Sequence, residues 1–164
     1  MITWHWRTWD TLTVGELHDL LQLRAAVFVV EQDCAYQDLD GLDPACHHLL
    51  GLDADGLAAS VRAVPPGLCH RFPCIGRVVT AARVRGKGLG RPLMTEALRH
   101  VTQTWPGPVH IGAQAHLHDY YASLGFVVAG PEYDEDGIPH LPMDYAPPVR
   151  SSGSAAPWSD PSTT

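Results

Sequence analysis

Leu17, Leu20, Leu21, Val27 and Phe28 recur at helical spacing, and Thr13 with Glu16, flanked by Leu12 and Leu17, forms a capping box. This pattern predicts a helix starting after Thr13. Arg24 falls inside its apolar stripe and Glu31 continues the same face. A charge there is explained by a stem lying along the core, by a structural ion pair, or by a substrate pocket at the helix end. Residues 2–9 alternate as a half-buried strand does. Apolar runs at 48–52 and 57–64 flank Asp53-Ala54-Asp55-Gly56, which predicts a β-hairpin. Residues 74–80, rich in β-branched side chains, read as a central strand. Leu93, Met94, Ala97, Leu98 and Val101 then mark a second helix, which Trp105-Pro106-Gly107-Pro108 stops. A strand at 109–115, a short helix at 116–124 ended by Gly125, and a strand at 126–129 follow, with 138–145 able to pair beside it.

Length and composition fit one compact domain. The chain has 164 residues, 45% of them hydrophobic. Residues 1–146 carry the periodic patterns, whereas 147–164 are dominated by Ser, Pro, Gly, Ala and Thr and are expected to be a disordered tail. No apolar run approaches the ~18 residues of a membrane span, and the start of the sequence lacks the layout of a signal peptide, so the expected location is cytoplasmic. Cys34, Cys46, Cys69 and Cys74 lack CxxC spacing and read as reduced, mostly buried thiols. The histidines show no HExxH or Cys/His grid, so no metal is expected. A formal charge of -7 disfavours nucleic acid and anionic lipid and favours a cationic partner. Glu31, Asp38, Asp40 and the run Asp134-Glu135-Asp136 are the candidates to rim its approach.

The chemistry concentrates in Arg85-Gly86-Lys87-Gly88-Leu89-Gly90, between the central strand and the second helix. Three glycines allow a close approach to backbone, and the first N–H groups of the following helix have no internal partners. With the positive end of the helix dipole and the charges of Arg83, Arg85, Lys87 and Arg91, this is a cradle for a pyrophosphate. Pro92 suits the first helical turn. No Gly-Lys-Ser/Thr follows, and the glycines run GxGxG instead of GxGxxG, which counts against ATP and dinucleotide loops.

The Arg85-x-x-Gly88-x-Gly90 pattern resembles the R/Q-x-x-G-x-G/A loop of GNAT acetyltransferases, and Tyr121-Ala122-Ser123-Leu124-Gly125-Phe126 is similar to their Y-x-x-x-G-F signature. The segments Leu21-Gln22-Leu23-Arg24, Val27-Phe28-Val29-Val30-Glu31-Gln32, Tyr36-Gln37-Asp38, Gly112-Ala113-Gln114-Ala115-His116-Leu117 and Asp136-Gly137-Ile138-Pro139-His140 look like the ElaA-like branch, so the resemblance spans about residues 10–146. It implies the acyl-CoA N-acyltransferase fold: a mixed α/β arrangement, its mostly antiparallel sheet splayed between the fourth and fifth strands, with helices on both faces. It implies acetyl coenzyme A as cosubstrate and an amine of a small molecule or peptide as acceptor. Arg85, Gly86, Lys87, Gly88, Leu89, Gly90 and Arg91 would hold the pyrophosphate, Val78 and Val79 would bond pantetheine through the main chain, and Tyr121 would be the general acid. Tyr120 is read as packing. Gln114 stands where many members carry Asn and is assigned to the substrate side with Arg24, Glu31, His116 and His140. Glu31, His116 and His140 are equal candidates for the base. A non-catalytic coenzyme A module and a nucleotide-binding regulatory domain are the rival readings. A homodimer is compatible with the sequence.

Overall fold

The Asp-Gly reversal turns the chain where its pattern demands. In the computed structural model, which describes residues 1–149, β2 (His47–Asp53) folds back on β3 (Gly56–Val64) with Gly56 at φ +107°. A first strand, β1 (Thr3–Arg7), pairs antiparallel with β2 and sets Trp4 opposite Gly51. Glycine is required there, because a Cβ would come within 2.5 Å of the Trp4 ring. The central strand β4 (Cys74–Thr80) pairs antiparallel with β3.

Beyond β4 lie β5 (Val109–Gln114), β6 (Phe126–Val128), β7 (Tyr133–Glu135) and β8 (Ile138–Tyr145). The sheet order is β1-β2-β3-β4-β5-β8-β6, with β7 paired to β8. Among the described residues only β4 and β5 run parallel, and they share a single register pair, Cys74 with His110. The His110 N–H donates to the Pro73 carbonyl at 2.9 Å, after which the two strands diverge. The splay therefore lies where the resemblance places it.

Helices cover both faces. In α2 (Gly90–Thr104), Leu93, Met94, Ala97, Leu98 and Val101 are all buried, as their spacing predicts, against Leu49, Ala59, Val61, Ala63, Ile75 and Ile111. The intervening β3 position, Arg62, points to the other face and reaches Asp43, which also accepts from Arg24 of α1 (Val14–Arg24). Thr13 caps α1 as expected: Glu16 N–H donates to its Oγ1 at 3.1 Å, and Thr13 N–H donates to Glu16 Oε2 at 3.0 Å. The helix does not end at Arg24. It widens into a π-helical stretch, Ala25–Glu31, in which Val27 and Phe28 are only half-buried. A short helix, α3 (His118–Ser123), follows the turn Ala115–Leu117, and Gly125 at φ +100° ends it.

β7 departs from the sequence reading, which has no strand there. Its three residues are all exposed and it is held by β8 alone, so no apolar alternation marks it. No helix among the described residues is long and apolar enough to cross a membrane. The tail expected from residue 147 lies, from residue 150 onward, outside the described residues.

Candidate active site

The glycine-rich segment connects β4 to α2. Gly86 and Gly88 both sit at φ +73°, with open space where a Cβ would project, so the loop presents bare backbone to a hollow of about 230 Å³. Thr80, Val84, Arg85, Leu89 and Gly90 complete its lining. Leu89, the N-cap of α2, makes no side-chain cap bond, in contrast to Thr13 on α1, so the amides of the first turn, beside the hollow, have no acceptor from the N-cap. Gly90 admits no larger residue without a shift, because a Cβ would lie 2.9 Å from the Tyr120 hydroxyl. Open backbone and an uncapped helix start suit a pyrophosphate.

The basic residues divide. Arg85 is held by both carboxylate oxygens of Glu31, one at 2.9 Å, and donates to the Thr80 carbonyl at 3.3 Å. That hydrogen bond holds the Glu31 carboxyl below the usual carboxylate range. Glu31 is thus an anchor for Arg85 at the cradle rim and a weak proton acceptor. Arg91 donates to Ser123 Oγ at 3.1 Å, while Lys87 has no partner among the described residues. Arg83 must be removed from the cradle: it turns to the β2–β3 hairpin, 2.5 Å from Asp53 Oδ2.

A larger cavity of about 650 Å³ fills the gap between β4 and β5. His110, Gly112 and Gln114 alternate onto one face of β5, and their cross-strand partners Asp144, Pro142 and His140 share that face on β8. The Tyr133 hydroxyl covers Gly112, 2.5 Å from where a Cβ would stand. Val78, Gln114, His140 and Tyr121 all line this cavity. Val79 is buried, at 3% exposure.

Tyr121 packs edge-on to Phe126 with ring centroids 5.9 Å apart. Burial, with a smaller effect from Tyr120, pushes its hydroxyl up to about 12, so it is a proton donor across the neutral range. Tyr120 packs against the core, as expected. The His140 Nδ1–H donates to the Ile138 carbonyl at 2.7 Å, and Nε2, on the other side of the ring, lies 3.4 Å from Glu135 Oε2. His116 is exposed on its turn and does not line the cavity.

Arg24 is also displaced from the cleft. It is fully buried and belongs to a closed ring in which three arginines and three aspartates alternate. Arg24 meets Asp38 at 2.9 Å and Asp43 at 2.8 Å; Arg62 meets Asp43 at 3.1 Å and Asp40 at 2.7 Å; Arg77 meets Asp40 at 3.5 Å and Asp38 at 2.7 Å. Equal numbers of each sign cancel, so Asp38 and Asp40 do not form an acidic rim. Of the carboxylates proposed for that rim, Asp40, Glu135 and Asp136 line the cavity, and only the last two lie outside the ring.

The ring grips a bulge in β4. Ser60 pairs with Val79 and Arg62 with Gly76, so Arg77 and Val78 together oppose Val61, and Arg77 takes φ +47°. A left-handed arginine is strained by roughly 1–2 kcal/mol, and its bonds to Asp38 hold it there. Arg62 and Arg77 are absent from the sequence reading. The signal for them is a charge inside each of two buried strands, A-S-V-R-A-V and C-I-G-R-V-V-T.

Comparison with known proteins agrees with this geometry. A family profile described as "Acetyltransferase (GNAT) domain" matches residues 23–147. Protein ElaA of Escherichia coli (strain K12) is 44% identical over 146 residues, covering 87% of this chain and 95% of ElaA. The crystal structure of an acyl-CoA N-acyltransferase from Pseudomonas aeruginosa superposes with a TM-score of 0.85 at 44% identity, covering 89% of this chain and 100% of that one. The crystal structure of Escherichia coli ElaA gives 0.83 at 43% identity, covering 88% and 99%.

Proposed function

Since the chain belongs to the GNAT acetyltransferases, in their ElaA-like branch, we propose that it transfers the acetyl group of acetyl coenzyme A to a primary amine of a small molecule or peptide, by direct attack in a ternary complex. The observation that carries this reading is one cavity along the β4–β5 splay whose lining includes both a buried tyrosine, Tyr121, and a histidine, His140.

Bare amides at Gly86, Gly88 and the start of α2 suit the pyrophosphate, with charge from Arg85, Lys87 and Arg91. Val78 and Val79 on the bulged strand are the main-chain groups assigned to pantetheine. Acetyl coenzyme A supplies an activated acyl thioester. His140 Nε2 accepts the proton of the attacking amine, and the Val79 amide stabilises the carbonyl oxygen. The Tyr121 hydroxyl protonates the departing thiolate. Among the candidate bases, His140 is favoured because Glu31 is occupied by Arg85 and His116 lies outside the cavity.

The test is a panel of primary amines assayed for coenzyme A release, alongside thermal melting with coenzyme A. At about 100 times its dissociation constant, coenzyme A is expected to add roughly 2.7 kcal/mol of stability. With an acceptor in hand, His140→Gln should lower kcat by about 10²–10⁴-fold and leave that stabilisation unchanged. Absence of any coenzyme A stabilisation overturns the reading.

A further inference from the structure

Two thiols in the cavity wall take no part in acyl transfer. Cys69 is exposed on the loop between β3 and β4, and Cys74, the first residue of β4, is 7% exposed. Their sulfurs lie 3.3 Å apart, the Cys69 thiol donating to Cys74 Sγ. A disulfide requires about 2.05 Å, so roughly 1 Å of approach separates this contact from a bond. The moving partner is on a loop whose tight turn, Gly67 N–H to His70 carbonyl at 2.7 Å, leaves Cys69 outside the sheet ladder. The Cys34 and Cys46 sulfurs donate instead to the Asp136 and Leu42 carbonyls, although Cys46 belongs to the same small buried cluster as Cys74.

We propose that Cys69 and Cys74 form a reversible disulfide by exchange with low-molecular-weight disulfides such as oxidised glutathione. The exposed Cys69 thiolate attacks one sulfur of the external disulfide, forming a mixed disulfide and releasing one thiolate. That thiolate takes the proton of Cys74, whose sulfur then attacks Cys69 Sγ and expels the second glutathione thiolate. Two protein thiols are oxidised and one external disulfide is reduced to two thiols. Burial keeps the Cys74 thiol protonated, so Cys74 acts second, once Cys69 has formed the mixed disulfide.

The location gives the bond a consequence. Cys74 and His110 make the single β4–β5 pair, and His70 from the same loop stacks on His110 with centroids 3.9 Å apart. A disulfide would tie this loop to the closed end of the cleft, in the wall of the acceptor cavity.

Arg71 lies between the two cysteines, so trypsin separates them unless they are cross-linked. The full chain is incubated with oxidised glutathione, alkylated, and analysed by intact mass and tryptic peptide mapping. The expected result is a loss of about 2 Da with the Cys69 and Cys74 peptides joined, reversed by dithiothreitol. The cross-link should be absent in Cys69→Ser and retained in Cys34→Ser. A stable glutathione adduct on Cys69 with Cys74 still open to alkylation overturns the proposal, as does a cross-link through Cys34 or Cys46. This readout is covalent and independent of acyl transfer.

Discussion

Arg24 Nε donates to Asp38 Oδ2 across 2.9 Å inside the protein, where the two side chains retain 1% and 4% of their exposure. Removing one partner of a buried pair leaves the other charge without compensation, at a cost of about 3–5 kcal/mol. Arg24→Met is therefore expected to shift the urea midpoint by a corresponding amount, and pairing it with Asp38→Asn should recover part of the loss. A cost below about 1 kcal/mol would show that the ring does not hold the fold.

Acid should weaken the protein through the same ring. The hydrogen bond from Arg62 holds the Asp40 carboxyl well below its ordinary range. For Asp43, burial raises the value, but the bonds from Arg24 and Arg62 outweigh it and the net direction is down. A carboxyl depressed in the folded state contributes stability that is present above its unfolded value, about 3.9, and is lost as pH falls toward the folded value. Unfolding free energy measured in urea should already begin to fall below about pH 6.5, because burial holds His47, His48 and His100 neutral in the fold and they take up protons on unfolding, and the ring carboxylates should add a further decline below about 4. Asp40→Asn should make that decline shallower; an unchanged slope would exclude Asp40 from it.

Tyr121→Phe deletes a hydroxyl and little volume. If that hydroxyl protonates the thiolate, kcat falls by about 10²–10⁴-fold while coenzyme A affinity stays within a few-fold. Because burial pushes the group up to about 12, its acid form persists throughout the neutral range, and wild-type kcat should not fall there for want of this proton. A decrease of less than about 10-fold would reduce Tyr121 to packing against Phe126.

Gly88→Glu should abolish the thermal shift given by coenzyme A. Gly88 sits at φ +73°, which an L side chain tolerates poorly, and the new carboxylate would enter the hollow at the start of α2. Gly88→Ala, which adds strain but no charge, should lose less of the shift. A folded Gly88→Glu protein with the full shift would place the cofactor elsewhere.

What the sequence reveals follows the range of the forces involved. The buried face of α2 and the β2–β3 hairpin rest on local periodicity and turn chemistry, so both are legible residue by residue. The glycine loop between β4 and α2 is legible because positive φ forces glycine into the sequence. The charge ring is not, because its partners stand 14 to 39 positions apart and only tertiary packing chooses among them. For the same reason Arg83 reads as part of a basic cluster yet serves the hairpin, and Asp38 reads as a charge rimming the acceptor's approach yet is buried. The π-helical widening after Arg24 breaks the 3.6-residue period on which the expected stripe depends.

The single ladder pair between β4 and β5 creates a sheet edge that faces inward. Past Cys74 and His110, two neighbouring strands run side by side without bonding to each other, so each presents main-chain donors and acceptors to the gap. On a protein's rim such an edge invites other chains to add a strand. Here the edge lines an internal cavity of about 650 Å³, and the unmet pairing is open to a slender occupant carrying amides of its own, the part we propose for pantetheine. In the proposed complex, a feature that is an aggregation hazard on a sheet's rim becomes a site for a guest of strand-like width and polarity.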